Sequence, residues 1–142
     1  MFKKNLILLV ILACAILLGS SANSSAQTNV SGNITSNTTW TLAPNPPNNN
    51  GSPYIVTGNI IVNAVLTIEA GVEVKFAGNY SFTVNGTLNA AGTATQRIKF
   101  TSNQSTPARG DWDKILLTND SSSLDYCQIE YANVGLQLSG LG

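Results

Sequence analysis

The side chains that could perform acid–base or metal chemistry in this chain are few and widely spaced. The 142 residues include seven acidic side chains and no histidine. Asp111 and Asp113 flank Trp112 and stand two positions apart, so they could share one face of a strand. Two carboxylates make a weak Ca²⁺ site, because this ion takes six to eight oxygen ligands. We therefore predict no catalytic residue and no required cofactor, with Asp111 and Asp113 as weak candidates for binding Ca²⁺.

Two tryptophans are candidate contacts for a glycan, because an indole ring offers a broad apolar face beside a polar N–H group. Trp40 lies in a polar stretch near the start of the predicted domain. The preferred interpretation of Trp40 is a lid over the N-terminal end of the core, and the alternative is a platform for a sugar. Trp112 is the second candidate for glycan contact.

Successive short strands are predicted within residues 66–102, and the rest of the chain repeats their pattern. In residues 72–76, three apolar residues alternate with Glu73 and Lys75. A period of two places the apolar residues on one face of a strand and the charged residues on the other, and the same argument turns Lys99 outward. The side chains predicted to point inward are Val72, Val74, Phe76, Val84, Leu88, Ile98, Phe100, Ile129 and Leu136.

Glycine and asparagine mark the turns between these strands. Asn85-Gly86 suits a two-residue hairpin turn, so an antiparallel meander is the competing interpretation. Leu66 and Phe82 begin similar triplets sixteen positions apart, and similar strands return at intervals of about 20 residues. Such self-similarity is typical of a solenoid, in which each unit buries its apolar face against its neighbours. The sequence therefore favours a β-solenoid over a meander.

Residues 1–26 are predicted to be a secretory signal peptide. Two lysines precede an apolar run of thirteen residues at 6–18, and small residues ending at Ala26 fit a cleavage site. The run falls short of the roughly 20 residues needed to cross a bilayer, which favours cleavage over anchoring. Lipidation at Cys14 is the less favoured alternative, because the apolar run continues beyond the cysteine. The protein is expected to be secreted or displayed at the cell surface.

The charge of the mature chain bears on its partners. Removing the leader takes away two of the seven basic residues, and the remaining five against seven acidic ones give a net charge near −2. With no basic patch, binding to nucleic acid is not expected. Cys127 is the single cysteine left, so no intramolecular disulfide can form, and a buried thiol is expected.

The mature chain divides at residue 53. Residues 27–53 are predicted to be an N-terminal cap with a loop rich in proline and asparagine, in which residues 38–42 form the first short strand. Residues 54–142 are predicted to form the coils. The final strand, 134–138, is followed by too few residues to seal it, so its end is expected to be open or truncated. We expect self-association through this uncapped coil, or continuation of the native polypeptide.

Several motifs in these coils carry a family resemblance. Residues 53–58 and 66–76 resemble the opening of right-handed parallel β-helix domains of the pectin-lyase-like superfamily, and residues 84–94 are similar to its "V-x-G-x-L-x-A-x-G-T" coil. Such domains are frequent in secreted and surface proteins of bacteria and archaea. The resemblance covers about residues 38–138. It implies an all-β, right-handed parallel β-helix of about five coils.

The resemblance also frames the function. Polysaccharide-cleaving β-helices rely on clustered carboxylates, whereas the acids of this chain are scattered along it. The predicted function is a secreted or cell-surface module with a structural, adhesive or carbohydrate-binding role and no catalytic site of its own. Its expected partner is an extracellular polysaccharide or a cell-surface glycan. The alternative is the N-terminal fragment of a polysaccharide lyase or glycoside hydrolase whose catalytic coils lie beyond residue 142.

Overall fold

The computed structural model describes residues 27–44 and 49–140. The described residues form twelve β-strands and no α-helix, and hence no helix long and apolar enough to span a membrane. The predicted signal peptide and Cys14 lie outside the described residues. The strands are β1 (Thr28–Ile34), β2 (Thr38–Trp40), β3 (Tyr54–Val62), β4 (Val65–Ile68), β5 (Glu73–Phe76), β6 (Phe82–Val84), β7 (Thr87–Ala91), β8 (Ile98–Ser102), β9 (Trp112–Leu117), β10 (Ser123–Asp125), β11 (Cys127–Ile129) and β12 (Ala132–Leu138).

All the strand pairs are parallel, and they stack into three faces. The first face contains β2, β4, β7 and β10. β1 and β3 are long enough to contribute to two faces. Their first halves lie in the second face with β5, β8 and β11. Their second halves lie in the third face with β6, β9 and β12. The chain visits the three faces in the same order on each turn, which confirms the parallel β-helix. The number of coils stays a prediction.

Register shows which sequence similarities reflect stacking. Asn85-Gly86 joins β6 to β7, which lie in different sheets, so it is a corner of the solenoid and not a hairpin. Leu66 pairs with Leu88, whereas Phe82 pairs with Ile60 on another face. The triplets that begin at Leu66 and Phe82 therefore do not stack on each other, and their spacing of sixteen residues is not the length of one coil. Loops of unequal length lie between the faces, so stacked residues recur at unequal intervals.

The core is the space enclosed by the three faces. Of the nine side chains predicted to point inward, seven are fully buried, and Ile129 is half-buried. Leu136 is 43% exposed although its register partner Ile115 is fully buried. The reason is position, because β12 is the last strand of its stack and nothing described lies beyond it. Phe76 and Trp112 stack at the centre with ring centroids 4.0 Å apart.

Polar side chains form a ladder at the corner that follows the third face. Asn85 donates its Nδ2 to Asn63 Oδ1 at 3.0 Å, and Thr118 Oγ1 donates to Asn85 Oδ1 at 3.3 Å. Asn119 Nδ2 donates to the carbonyl oxygens of Asn85 and Gly86, both at 2.7 Å. These bonds satisfy groups at a sharp bend where the strand ladder is interrupted. They explain why short polar side chains occupy the corners.

The N-terminal segment differs from its prediction. Residues 27–53 were expected to be a cap with one strand, but β1 also forms and pairs in parallel with β3 from Thr28 to Ile34. β2 pairs with β4, as a strand of the solenoid does. Among the described residues, the stack of strands therefore begins at Thr28. This polar segment can form a strand of the solenoid because β3, the strand beside it, offers backbone groups for hydrogen bonding.

Candidate functional site

Charged side chains gather on the outer surface of the second face. The outward residues of β5, β8 and the end of β11 meet there, and we call this surface the lateral charged face. Glu73 lies between two lysines, with Lys75 Nζ at 3.3 Å and Lys99 Nζ at 3.7 Å from its carboxylate oxygens. Glu130 accepts a hydrogen bond from Thr101 Oγ1 at 3.2 Å. Gln128 Nε2 donates to the other oxygen of Glu130.

Strand register brings these residues together from distant parts of the chain. Glu73 pairs with Lys99, and Lys99 pairs with Gln128 on the next strand. Parallel neighbours lie about 4.8 Å apart, so residues in register form a column of side chains along the solenoid. The sequence predicted that Glu73, Lys75 and Lys99 point outward, and the structure confirms that these side chains lie on the outer surface.

The electrostatics of the lateral charged face are balanced. Two lysines and two glutamates lie within it, so it carries no net charge and exerts no long-range pull on an ion. The side chains of the ion pairs are about a third exposed, at 32–38%. Pairs this exposed contribute roughly 0–1 kcal/mol each, because water and salt screen them. The surface can therefore exchange its internal contacts for hydrogen bonds to a polar ligand at small cost.

The two weak Ca²⁺ candidates have separate partners. Asp111 Oδ2 accepts from Ser102 Oγ at 2.5 Å and from the Ala108 amide at 2.9 Å. The hydrogen bond from Ser102, and then that from Ala108, lowers the pKa of the Asp111 carboxyl below its ordinary value of 3.8. Asp113 Oδ2 instead accepts from Ser81 Oγ at 2.8 Å and lies 3.7 Å from Lys114 Nζ. Asp111 therefore fixes the loop that precedes β9, and Asp113 ties β9 to the chain just before β6.

Metal ligands do not converge in the part of the chain that the structure describes. Within residues 27–44 and 49–140, no three side chains of His, Cys, Asp or Glu type come close enough together to hold a metal ion. Asp111 and Asp113 therefore have no third carboxylate to join them. The single described thiol, Cys127, is half-buried, and burial followed by the charge of Asp125 raises its pKa to about 11.

The structure buries both tryptophans that were candidates for glycan contact. Trp112 is completely buried, stacks on Phe76, and donates its Nε1 hydrogen to the Glu130 carbonyl oxygen at 2.8 Å. Trp40 is 3% exposed and stacks on Tyr54 with ring centroids 4.6 Å apart. Neither indole presents an open face on which a sugar could stack. Both are core residues, and Trp40 lies where the preferred interpretation placed a lid, at the N-terminal end.

A pocket of about 390 Å³ opens at that end. Its walls include the inward side chains of the first turn of the chain. We call this pocket the N-terminal mouth and define it by Thr28, Val30, Ile34, Thr38 and Trp40. Sequence reasoning missed this pocket, because it required β1 to be recognised as part of the solenoid. It also missed Glu130 and Thr101 as members of the lateral charged face, because only register places them beside Lys75 and Lys99.

Comparison with known proteins assigns the fold to a family. Residues 32–123, well over half of the chain, match the pectate-lyase-like β-helix domain. The chain belongs to this family. The match includes the lateral charged face through β5 and β8, and most of the N-terminal mouth. It confirms the resemblance to pectin-lyase-like β-helices.

More distant similarity is confined to a short segment. The chain is 44% identical over 57 residues to the protein named bark beetle of Drosophila melanogaster. That segment covers 39% of this chain and 2% of the Drosophila protein, so the chain spans only a small fraction of that relative's length. No solved structure matches the chain. The family match therefore identifies the fold of the domain.

Proposed function

We propose that this β-helix is a structural module of a secreted or cell-surface protein, without a catalytic site of its own. The observation that carries the proposal is how its carboxylates are used. Five of the seven acidic side chains contact groups of their own chain through hydrogen bonds or ion pairs. These five are Glu69, Glu73, Asp111, Asp113 and Glu130.

Each of these five residues makes at least one contact with another part of the solenoid. Glu69 Oε2 accepts from the Leu42 amide at 3.0 Å, which ties the N-terminal loop to the end of β4. Asp111 and Asp113 fix the loop before β9 and the chain before β6, as described above. Carboxylates that cleave glycosides must instead face a substrate bond as a pair, one acting as acid and the other as base or nucleophile. A structural use of the acids therefore accounts for their scattered positions.

The test of this proposal is a direct assay on acidic glycans. We expect no cleavage of pectate or polygalacturonate by the purified protein, with or without added Ca²⁺. Asp111→Asn and Asp113→Asn serve as the matched variants, because they remove charge and preserve shape. Turnover in the native protein that disappears in either variant would overturn the proposal.

Carbohydrate binding on the lateral charged face is the second candidate function. Its support is the row of hydrogen-bonding groups that strand register creates from Lys75, Lys99, Gln128 and Glu130. The columns repeat at about 4.8 Å, and donors and acceptors alternate without net charge. A neutral polysaccharide presents hydroxyl groups that suit such a surface, whereas a strongly anionic one gains little from it.

Affinity electrophoresis through gels that contain neutral polysaccharides can test this candidate. We expect retardation of the native protein, and loss of retardation in the double variant K99A/Q128A. Arg97→Ala is the matched control, because Arg97 is an exposed cation just before β8 and makes none of the contacts of the lateral charged face. Equal migration of all three proteins in gels with and without glycan would contradict binding at this face.

The location of the protein is a proposal of the same kind. Secretion from a suitable host followed by N-terminal sequencing should give a mature protein that begins at Gln27. Recovery of uncleaved chain in the membrane fraction would instead favour anchoring through residues 6–18.

A further inference from the structure

Eight tripeptides of the form Asn-x-Ser/Thr occur within residues 27–142, and the structure places them in different surroundings. This tripeptide is the acceptor motif for N-linked glycans, which attach at the surface of secreted proteins. A transferase must reach two groups of the motif, the side-chain amide of the asparagine and the hydroxyl of the third residue. The contacts of these groups therefore decide which motif is available in the folded protein. The motifs begin at Asn29, Asn33, Asn37, Asn50, Asn79, Asn85, Asn103 and Asn119.

Three of these asparagines use their side-chain amides at corners of the solenoid. Asn85 Nδ2 donates to Asn63 Oδ1 at 3.0 Å, and Asn119 Nδ2 donates to two backbone carbonyl oxygens at 2.7 Å. Asn37 Oδ1 accepts from the Val65 amide at 3.1 Å. Each side chain is thereby held against its own chain. A linked glycan would have to displace these contacts.

In two further motifs the hydroxyl of the third residue is engaged. Ser81 Oγ, in the motif of Asn79, donates to a carboxylate oxygen of β9 at 2.8 Å. Ser52 Oγ, in the motif of Asn50, accepts from the Glu73 amide at 2.9 Å. A transferase that binds either motif must first break a contact between two turns of the solenoid.

The motifs of Asn29 and Asn33 lie within β1. These two residues pair in parallel with Ile55 and Ile61 of β3. A strand in a ladder is extended and fixed by its neighbour, so it cannot bend into the active site of another protein. β1 would have to separate from β3 before either asparagine could react.

The remaining motif, at residues 103–105, lies in the loop between β8 and β9. All eight residues from Asn103 to Gly110 are exposed. The backbone amide of Asn103 donates to the Phe76 carbonyl oxygen at 2.9 Å, which anchors the start of the loop to the preceding turn. In the part of the chain that the structure describes, neither the Asn103 side-chain amide nor the Ser105 hydroxyl makes a hydrogen bond. Both groups are therefore available to a transferase without any change in the fold.

We propose that Asn103 is the acceptor site for an N-linked oligosaccharide. The donor is an oligosaccharide joined through pyrophosphate to a lipid. Asn103 Nδ2 forms a bond to the anomeric carbon, and the bond from that carbon to the pyrophosphate oxygen breaks. The lipid pyrophosphate leaves with the electron pair, and one amide proton passes to a base of the transferase. The proposal rests on secretion of the chain, because the transferase acts on polypeptides that have crossed a membrane.

Glycosylation of the folded protein in solution tests the proposal directly. The full-length chain is purified from the periplasm of a bacterial host that lacks the transferase. It is then incubated with a purified oligosaccharyltransferase and a lipid-linked oligosaccharide. Peptide N-glycanase converts each linked asparagine to aspartate, so peptide mapping by mass spectrometry locates the glycan. We expect one glycan, at Asn103. A folded protein that stays unmodified at Asn103, or that accepts a glycan at Asn85 or Asn119, would overturn the proposal.

Synthetic peptides separate the effect of the fold from that of the local sequence. Peptides of residues 83–89 and 117–123 contain the motifs of Asn85 and Asn119 without the hydrogen bonds of the corner. We expect the same enzyme to modify both peptides, although it leaves these asparagines unmodified in the folded protein. Peptides that stay unmodified would contradict the explanation by hydrogen bonding.

Variants of the loop identify the acceptor and the role of the hydroxyl. Asn103→Gln and Ser105→Ala should abolish modification, whereas Ser105→Thr should retain it because threonine restores the hydroxyl. Asn79→Gln is the matched control, because it removes an exposed asparagine from another motif and should leave modification unchanged. Equal modification of Ser105→Ala and Ser105→Thr would contradict recognition of this motif.

Expression in a eukaryotic secretion host tests the location separately. We expect the chain in the medium to contain a glycan at Asn103. A chain retained inside the cell without a glycan would count against secretion, and the reaction of the purified protein decides about Asn103 in either case.

Discussion

Phe76 and Lys75 are neighbours in β5 whose side chains leave opposite sides of the strand. Phe76 is fully buried and stacks on Trp112, whereas the side chain of Lys75 is about a third exposed, at 32%, on the lateral charged face. Phe76→Ala removes a large core side chain and leaves a cavity, so we expect it to lower the free energy of unfolding by about 3–5 kcal/mol. Lys75→Ala loses one screened ion pair and should cost less than about 1 kcal/mol. Urea unfolding followed by fluorescence compares the two, and equal losses would contradict the assignment of faces.

Asp111 provides a prediction about pH. Its hydrogen bonds from Ser102 and Ala108 lower the pKa in the folded state, so the charged carboxylate stabilises the loop that precedes β9. A lowered pKa gives stabilisation that is present above the ordinary value of 3.8 and is lost as pH falls through the folded value. As pH falls through the lowered pKa of the folded state, we expect the Ala108 amide to lose protection from hydrogen exchange, after correction for the intrinsic exchange rate.

Asp111→Asn is the control for this pH dependence. The amide keeps the shape of the side chain but cannot titrate, so protection of the Ala108 amide should be lower at neutral pH and nearly constant with further acidification. An unchanged pH dependence in the variant would assign the effect to another group.

Individual side chains also show where sequence reasoning is limited. Period-two alternation was sufficient to place Val74 and Phe76 inside and Lys75 outside. The tryptophans were candidates for glycan contact because an indole ring offers a broad apolar face beside a polar N–H group, and for Trp40 this was the alternative to a lid. Burial of Trp40 depends on Tyr54 and Phe82, which approach it from later turns of the chain. That information lies in the stacking of strands and not in the local sequence.

The corner between β6 and β7 depends on the small size of Gly86. A Cβ atom at this position would lie 2.1 Å from the carbonyl oxygen of Ala64, which is backbone of the preceding turn. The two turns of the chain would have to separate, and we expect Gly86→Ala to lower the free energy of unfolding by roughly 1–3 kcal/mol. Gly78→Ala is the control, because its Cβ would meet only the side chain of Tyr80, at 3.2 Å or more. A thermal melt in which both variants lose the same stability would contradict this explanation.

At the scale of elements, the sequence predicts strands better than it predicts their partners. β4, β5, β6 and β7 follow the predicted alternation, because each contains apolar residues that need one buried face. β1 was missed, since Thr28–Ile34 contains few apolar residues and gains its structure from pairing with β3. The pairing itself was not predictable from spacing. Stacked strands are separated by loops of different length, as the long loop between β8 and β9 shows.

At the scale of the whole molecule, the candidate site could not be predicted because its residues come together only when strands stack. The lateral charged face joins Glu73, Lys99 and Glu130, which lie far apart in sequence and meet only through register. No local sequence pattern predicts such a surface. The N-terminal mouth likewise exists because Thr28 and Thr38 stand where later turns place larger side chains. Short sequence motifs therefore predict the fold of a solenoid, whereas its surfaces can be described only from the three-dimensional structure.

The stacking of turns also predicts how stability is distributed along the axis. β3, β5 and β8 on the second face, and β6 and β9 on the third, each have a strand on both sides, whereas β10, β11 and β12 have one on a single side. Because each turn of a solenoid contacts only its neighbours, the end turns can open without the middle. We therefore expect hydrogen exchange at low protein concentration to be slowest in β5 and β8 and fastest in β11 and β12.

The gradient is measured in dilute protein, so that contacts between molecules do not contribute to the protection of the end strands. Uniform protection from β1 to β12 in the dilute native protein would show that the whole solenoid opens as one unit, in conflict with the nearest-neighbour argument.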